Sequence, residues 1–188
     1  MDLNKAIKER RSVRLFSPKK PNWRRIIEAI DASRYAPMAG KNCSIKIILV
    51  DEPEKIQQIA QATQQDFVSK VHYIVVFCTS KKRTVALYGD RGEKYAKQQA
   101  GAAMENLMLA VREKGLETCW VGDFVDDQIK RILKIPDEVD VEAVFPVGYE
   151  STIKEDKSAP RKKIELDNIL YFNKYKNQFM RPKKNLGV

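Results

Sequence analysis

Apolar residues recur along this chain at two spacings, one typical of amphipathic helices and one of buried strands. The longest helical pattern covers residues 98–114, where apolar side chains follow one another at intervals of one, three and four. Gly115 stands directly after this pattern and predicts its end. Because the segment is unusually rich in small and apolar residues, we expect it to be buried on most sides, at the centre of the fold or of a dimer.

Four shorter segments carry start or stop signals of helices. Asn22 is a good N-terminal cap, and Pro53 stands where the first turn of a helix tolerates proline. Pro37 and Pro136 predict where two of the helices end. We therefore expect helices over residues 2–9, 22–35, 53–63 and, starting at Asp126 or Asp127, up to residue 133.

Strand patterns lie between these helices. Short β-branched and apolar runs predict strands over residues 45–50, 73–79, 118–121 and 141–147. Residues 38–42 read as a loop. Helices alternate with only four strands, so the natural class is α+β, with helices around a mixed, mainly antiparallel sheet.

Composition narrows the possible classes of protein. The 188 residues are 43% hydrophobic, which fits one globular domain; we place it at residues 1–182, with a flexible basic tail at 183–188. No apolar run approaches the roughly 20 residues that a bilayer requires. The first residues lack a signal-peptide core, so we expect a cytoplasmic protein. One histidine and three widely spaced cysteines disfavour histidine-based metal catalysis and predict reduced thiols.

The net charge of +10 is concentrated at the two ends of the chain. Residues 1–25 hold nine basic and two acidic residues, and residues 174–188 hold five basic residues and no acidic one. Within the first block, Arg10, Arg11 and Arg14 fall inside five residues, beside Ser12. Such guanidiniums are suited to a phosphate or another anion. A solvated basic face is the other interpretation, and nucleic-acid binding is a weaker one.

Four blocks of sequence resemble the nitroreductase family of FMN-dependent oxidoreductases. The first is R-R-S-V-R-L-F at residues 10–16, and the second is A-P-M-A-G at residues 36–40. The third runs over residues 99–124 and contains C-W-V-G at 119–122. The fourth is F-P-V-G-Y at residues 145–149, followed by P-R-K at 160–162 and N-K-Y at 173–175. The blocks follow the family's order and span nearly the whole chain.

The resemblance implies a homodimer with a long central interface helix, in which both subunits build each FMN site. It places Arg10 and Arg161 at the FMN phosphate, Arg11 and Ser12 at the phosphoribityl chain and Arg14 at the pyrimidine edge of the ring. Backbone groups near Val121 and Gly122 would donate to flavin N5 and O4, while residues 37–42 would come from the partner subunit. The full set of expected cofactor-binding residues is Arg10, Arg11, Ser12, Arg14, Pro37, Met38, Ala39, Asn42, Val121, Gly122, Arg161 and Lys162.

The sequence departs from the family pattern in three places. Lys41-Asn42-Cys43-Ser44 replaces the usual N-x-Q-P, so Asn42 either contacts the flavin from a shifted register or the contact is lost. Met38 replaces a small hydroxyl residue, and Gln99 stands where a subgroup has aspartate. The segment over residues 88–95 resembles the insert before the long helix and is expected near the substrate opening. These departures bear on the substrate and leave the expected phosphate anchors unchanged.

The implied reaction passes two electrons from NADH or NADPH through flavin N5 to a nitroaromatic, quinone or similar electrophile. No nucleophilic side chain or metal is needed, since the cofactor supplies the chemistry. No G-x-G-x-x-G follows a strand, so we expect the nicotinamide to bind only transiently over the flavin. Two alternatives stay open: other flavin chemistry on the same scaffold, such as reductive dehalogenation or flavin destruction, and a non-enzymatic basic binding protein. The aromatic residues of the C-terminal tail predict that its first part wraps onto the other subunit.

Overall fold

The computed structural model describes residues 2–152 and 164–179, which fall in two compact units, Met1–Lys157 and Ser158–Val188. The described part of the first unit contains six α-helices and four strands. The helices are α1 (Leu3–Glu9), α2 (Trp23–Asp31), α3 (Pro53–Thr63), α4 (Lys82–Tyr88), α5 (Arg91–Glu113) and α6 (Asp126–Leu133). The strands are β1 (Ile45–Val50), β2 (Tyr73–Ser80), β3 (Glu117–Thr118) and β4 (Val139–Gly148).

The four strands form one sheet in the order β1-β2-β4-β3, and each described pair is antiparallel. Helices cover both faces of the sheet. Successive residues of β2 show this, since they pack into two different cores. Val75 and Phe77 pack with residues of α2 and α5, whereas Ile74 and Val76 pack with residues of α3 and α6. A strand buried on both faces reads as a continuous apolar run, as this one does. The expected α+β class, with helices around a mainly antiparallel sheet, is confirmed.

A β-bulge lets β4 serve both cores. The register of β2 against β4 shifts between Phe77 and Cys78, which pair with Ala143 and Val141. The extra residue reverses the alternation of side chains. As a result Val141 packs in one core and Ala143, two residues later, packs in the other.

Several predicted boundaries agree with the structure to within a residue. Strand β1 and helix α3 have the predicted ends, and the side chain of Asn22 caps α2 by accepting from the Arg24 N–H at 3.0 Å. The α-helix of α2 ends at Asp31, and a 3-10 turn, Ala32–Tyr35, completes the predicted span.

Helix α5 begins at Arg91, seven residues before the predicted start at residue 98, and α4 had not been predicted. Gly92 explains how the two helices meet, because a Cβ there would overlap the backbone of Thr84 and Val85 in α4. At the other end Gly115 has φ +71° and Leu116 N–H donates to the Val111 carbonyl at 3.0 Å. This is the Schellman closure that the glycine predicted.

The strand predicted over residues 118–121 is too long. Strand β3 ends at Thr118, and Val121 pairs separately with Val144. Both pairings share one register, in which Pro146 lies opposite Cys119. Proline has no N–H to donate, so the ladder is interrupted there.

The described part of the second unit, residues 164–179, contains one 3-10 turn, Leu166–Asn168. The rings of Tyr171 and Tyr175 meet edge to face with centroids 5.0 Å apart. The Asn177 side chain donates to the Phe172 carbonyl at 2.8 Å. The assignment of residues 1–182 to a single domain stays a prediction, and residues 183–188 lie outside the described residues.

Candidate functional site

The arginine-rich segment, residues 10–14, is fixed in the first unit by its central valine. Val13 is fully buried, and its N–H donates to the Thr118 carbonyl at 3.0 Å. The neighbouring residues Ser12 and Arg14 are exposed. Val13 is therefore the buried anchor of the segment, and the residues on either side of it are open to solvent.

The three guanidiniums of the arginine-rich segment have different neighbours. Arg10 Nε lies 3.6 Å from Glu105 Oε1, a distance that leaves it loosely paired, and its side chain is only 19% exposed. Arg11 forms an ion pair with Glu150. The Arg14 guanidinium lies over the ring of Phe67, 5.8 Å from its centroid. Two of the three guanidiniums therefore lie beside a carboxylate, and the third lies over an aromatic ring.

Residues 119–122 lie beside this segment, since Thr118 is the residue that Val13 contacts. Val121 is buried and exchanges two backbone hydrogen bonds with Val144, of 3.0 and 2.9 Å. Trp120 is 40% exposed and packs its ring edge against Phe145. Gly122 is exposed, and a Cβ there would meet nothing closer than Trp120 Nε1 at 3.5 Å. Packing within the protomer therefore does not require glycine at position 122.

The Gly40 loop, residues 36–44, leads from the 3-10 turn after α2 into β1. Gly40 and Lys41 both have φ +58°, a left-handed conformation that costs a non-glycine residue about 1–2 kcal/mol. The turn is closed by Asn42, whose N–H donates to the Ala39 carbonyl at 3.0 Å. The Asn42 side chain donates to the Gly40 carbonyl at 3.2 Å, so part of its capacity is used within the loop.

Two helices support the Gly40 loop. A Cβ on Gly40 would lie 2.7 Å from the Tyr88 hydroxyl and 3.3 Å from Leu87 Cδ1, so the end of α4 closes over this glycine. From α5, the side chain of Gln99 reaches the loop backbone and is 4% exposed. Sequence reasoning noted Gln99 only as a departure from the family pattern. A glutamine among Ala96, Ala100 and Ala103 on the buried face of a helix was the signal, because a buried amide needs partners.

The structure thus brings together one part of the predicted site. Arg10, Arg11, Ser12 and Arg14 lie beside the segment that carries Val121 and Gly122. Pro37, Met38, Ala39 and Asn42 belong to the Gly40 loop, which is held by α4 and α5. Arg161 and Lys162 lie outside the described residues. The assignment of all these residues to a cofactor stays a prediction.

One buried thiol outside this site has a shifted pKa. Burial, with a smaller contribution from Glu142, raises the pKa of the Cys78 thiol to about 11, so it stays protonated and unreactive near neutral pH. Across residues 2–152 and 164–179, His, Cys, Asp and Glu side chains form no group of three that could hold a metal ion. Over the same ranges, no helix has the length and apolar character needed to cross a bilayer.

Comparison with known proteins assigns the chain to a family. The sequence model of the nitroreductase family matches residues 7–149, which is most of the chain. The protein belongs to the nitroreductase family. In this nitroreductase-family protein the matched region contains the arginine-rich segment, the Gly40 loop and residues 119–122. The family resemblance read from the sequence is therefore confirmed.

Curated relatives of this nitroreductase-family protein come from archaea and bacteria. A provisionally named nitroreductase of Methanocaldococcus jannaschii is 28% identical over 59% of this chain, which spans only 55% of that relative. A provisionally named NADH dehydrogenase/NAD(P)H nitroreductase of Archaeoglobus fulgidus is 27% identical over 77% of this chain and 83% of its own length. The iodotyrosine deiodinase of Thermotoga neapolitana is 23% identical over 76% of this chain and 85% of its own length.

Solved structures share the fold over nearly the whole chain. A nitroreductase family protein from Clostridium novyi NT superposes with a TM-score of 0.74 and 25% identity, covering 97% of this chain and 99% of its own. The NADPH:FMN oxidoreductase of Vibrio harveyi, solved with NAD+, superposes with a TM-score of 0.80 and 19% identity. It covers 93% of this chain, which matches 78% of the Vibrio chain, and at this identity the likeness shows the fold.

Proposed function

We propose that this protein is an FMN-dependent oxidoreductase that takes two electrons from NADH or NADPH and passes them to a nitroaromatic, a quinone or a similar electrophile. The observation that carries the proposal is the hydrogen bond from Val13 to Thr118, which sets the arginine-rich segment beside residues 119–122. The segment that we propose to bind the phosphate therefore lies next to the backbone that we propose to face the flavin ring. The family assignment and the FMN oxidoreductase among the fold neighbours support it.

The residues of this chain suit a flavin mononucleotide. Its phosphate carries nearly two negative charges and is best held by fixed cations. Arg10 would bind it together with Arg161 and the adjacent Lys162, while Arg11 and Ser12 would hold the phosphoribityl chain. Arg10 Nε lies 3.6 Å from Glu105 Oε1, so a bound phosphate would displace only a loose ion pair. FMN, when bound, supplies the two-electron chemistry at its N5 position.

The ring would lie between the backbone at Val121 and Gly122 and the Gly40 loop. The open space at Gly122 allows main chain to approach a planar ring closely. Arg14, at the pyrimidine edge, would stabilise negative charge on the reduced ring and so raise its potential. Pro37, Met38, Ala39 and Asn42 would cover the other edge, with Met38 making that side more apolar. Neither the nicotinamide nor the acceptor needs a dedicated subdomain, since each would occupy the same space in turn.

A homodimer completes this proposal. Helices α1 and α2 leave large apolar side chains in solvent: Leu3 is 65% exposed, Trp23 51% and Ile27 44%. A groove of about 370 Å³ runs between α1 and α5 and is lined mainly by apolar residues, among them Leu109 and Ala110. Burying this face in a second copy explains its composition. The Gly40 loop would then cover the flavin of the partner subunit, and the aromatic part of the C-terminal tail would wrap onto it.

Reductive dehalogenation is the second candidate. It is favoured by one observation, the iodotyrosine deiodinase among the relatives, which matches three quarters of this chain. The same flavin site would serve both reactions, because each delivers two electrons from the reduced ring.

A direct test uses the absorbance of the purified protein. We expect a yellow protein, with flavin bands near about 370 and 450 nm that bleach on addition of NADH or NADPH, followed by reoxidation with a quinone or nitroaromatic. Reoxidation by a halogenated aromatic with release of halide would favour the second candidate. A colourless protein that takes up no added FMN would contradict both. Changing Arg10 and Arg161 together to alanine should weaken FMN retention, because the phosphate loses charged partners.

A further inference from the structure

Gln99 is a buried polar side chain whose contacts all lie in one place. It stands on α5 and is 4% exposed, with alanines on the same face of the helix one turn before and one turn after it. Its amide reaches three residues of the Gly40 loop. We assign Gln99 no part in the reaction itself, because its side chain is buried and its hydrogen bonds go to the loop.

Both ends of the Gln99 amide find complementary partners. The nitrogen donates to the Asn42 carbonyl at 2.9 Å and to Ser44 Oγ at 3.1 Å, and the oxygen accepts from the Ala39 N–H at 3.2 Å. The opposite orientation would set the amide oxygen against the Asn42 carbonyl and the amide nitrogen against the Ala39 N–H. Only the first orientation therefore satisfies both ends.

These three contacts bracket the strained part of the loop. Gly40 and Lys41, the two left-handed residues, lie between Ala39 and Asn42. Ser44, on the far side, is tied to the sheet because its carbonyl accepts from the Ser80 N–H at 2.7 Å. A strained backbone conformation persists only where its surroundings fix it. Gln99 supplies that fixation from the helix, and Tyr88 closes over Gly40 from the other direction.

We propose that Gln99 is a positioning residue, which holds the Gly40 loop in the shape that covers the flavin ring. This inference rests on the proposed function for the identity of the ligand. In this proposal a neutral, buried amide fixes the loop that covers the ring, whereas arginines of the arginine-rich segment bind the phosphate. The two contributions are separable, because riboflavin has the ring of FMN and lacks its phosphate.

The test compares Gln99→Met with the wild type and with Gln98→Met, a neighbouring exposed glutamine on the same helix. Methionine keeps the length of the side chain and removes its hydrogen bonds. In the FMN-free full-length protein, we expect amide exchange at Ala39 and Asn42 to become at least about tenfold faster in Gln99→Met only. We expect FMN and riboflavin both to bind about tenfold more weakly to this variant. Arg10→Ala should weaken FMN binding and leave riboflavin binding unchanged.

A second variant keeps the test decisive if methionine is not tolerated. Gln99→Glu retains an acceptor for the Ala39 N–H but sets a second carboxylate oxygen against the Asn42 carbonyl, so exchange should rise more at Asn42 than at Ala39. Equal exchange at Ala39 in Gln99→Met and the wild type would overturn the positioning role. Faster exchange with unchanged riboflavin and FMN affinity would overturn the link to the flavin and leave the proposed function standing. A wild-type protein that binds neither flavin would instead overturn the proposed function.

Discussion

The arginine-rich segment and the Gly40 loop are positioned by different kinds of contact. The arginine-rich segment is anchored through buried Val13, and its charges range from Arg10, which is 19% exposed, to Arg11, which is 42% exposed. The Gly40 loop carries its strain at Gly40 and Lys41 and is held from beneath by an uncharged amide. Salt screens exposed charges strongly and buried hydrogen bonds hardly at all. Flavin binding through the arginine-rich segment, the phosphate half of the proposed site, should therefore weaken as ionic strength rises. Binding through the Gly40 loop, the loop half, should not depend on ionic strength.

The comparison also explains why the two halves use different residue types. A phosphate keeps its negative charge when it binds to the protein, so its partners must be cations. These cations must also be able to leave their carboxylate partners when the phosphate arrives. A loop that covers a flat ring needs a fixed shape and no net charge. A buried glutamine with all its hydrogen bonds satisfied provides that shape without the desolvation cost of a buried charge.

The largest effect is expected from Gly92→Ala, which breaks the support of the loop half. A Cβ at this position would overlap the backbone of Thr84 and Val85, so α4 must move away from α5. We expect the free energy of unfolding to fall by about 3 kcal/mol, measured by urea denaturation. Lys94→Ala, an exposed substitution in the same turn, should change it by less than about 0.5 kcal/mol. An unchanged stability of Gly92→Ala would show that the close contact between α4 and α5 is not present in solution.

Arg10→Ala should act on the phosphate half. We expect FMN binding to weaken by roughly 10- to 100-fold at low salt, the loss of a charge-assisted hydrogen bond. The deficit should shrink as salt is raised from about 0.05 to about 0.5 M, because screening already weakens the wild type. Arg131→Ala, on α6, removes the same charge away from the site and serves as the control. A deficit independent of salt, or one equal for riboflavin, would contradict the division into two halves.

Gly122→Ala should have the smallest and most local effect. A methyl group meets only Trp120 at 3.5 Å within the protomer, so we expect thermal stability without flavin to stay within about 0.5 kcal/mol of the wild type. The same methyl group would stand where the ring approaches the backbone, and flavin binding should weaken by about tenfold. Titration of FMN and riboflavin should give equal losses, since the contact is to the ring. Full flavin affinity in this variant would argue against residues 121 and 122 as the ring contact.

The sequence by itself determined the elements whose signals are local. Four signals need only neighbouring residues, and each is present as expected: the apolar, β-branched run of residues 45–50, the proline at the start of α3, the Asn22 cap and the Gly115 closure. The family resemblance was equally legible, and the family model that matches residues 7–149 confirms it. A motif, however, names residue types and not their partners. It could not show that Arg10 stands beside Glu105 or that Arg11 pairs with Glu150.

Only the tertiary structure decided the features that depend on distant residues. Gly92 allows α4 to approach the start of α5 at Arg91. The β-ladder is interrupted after Thr118, where the opposite strand carries Pro146, 28 residues later in the chain. Gln99 contacts a loop more than 50 residues earlier in the chain, so its partners could not be read from the helix that carries it. Local propensity acts within a turn or two, whereas packing and the pairing of buried polar groups act across the whole fold.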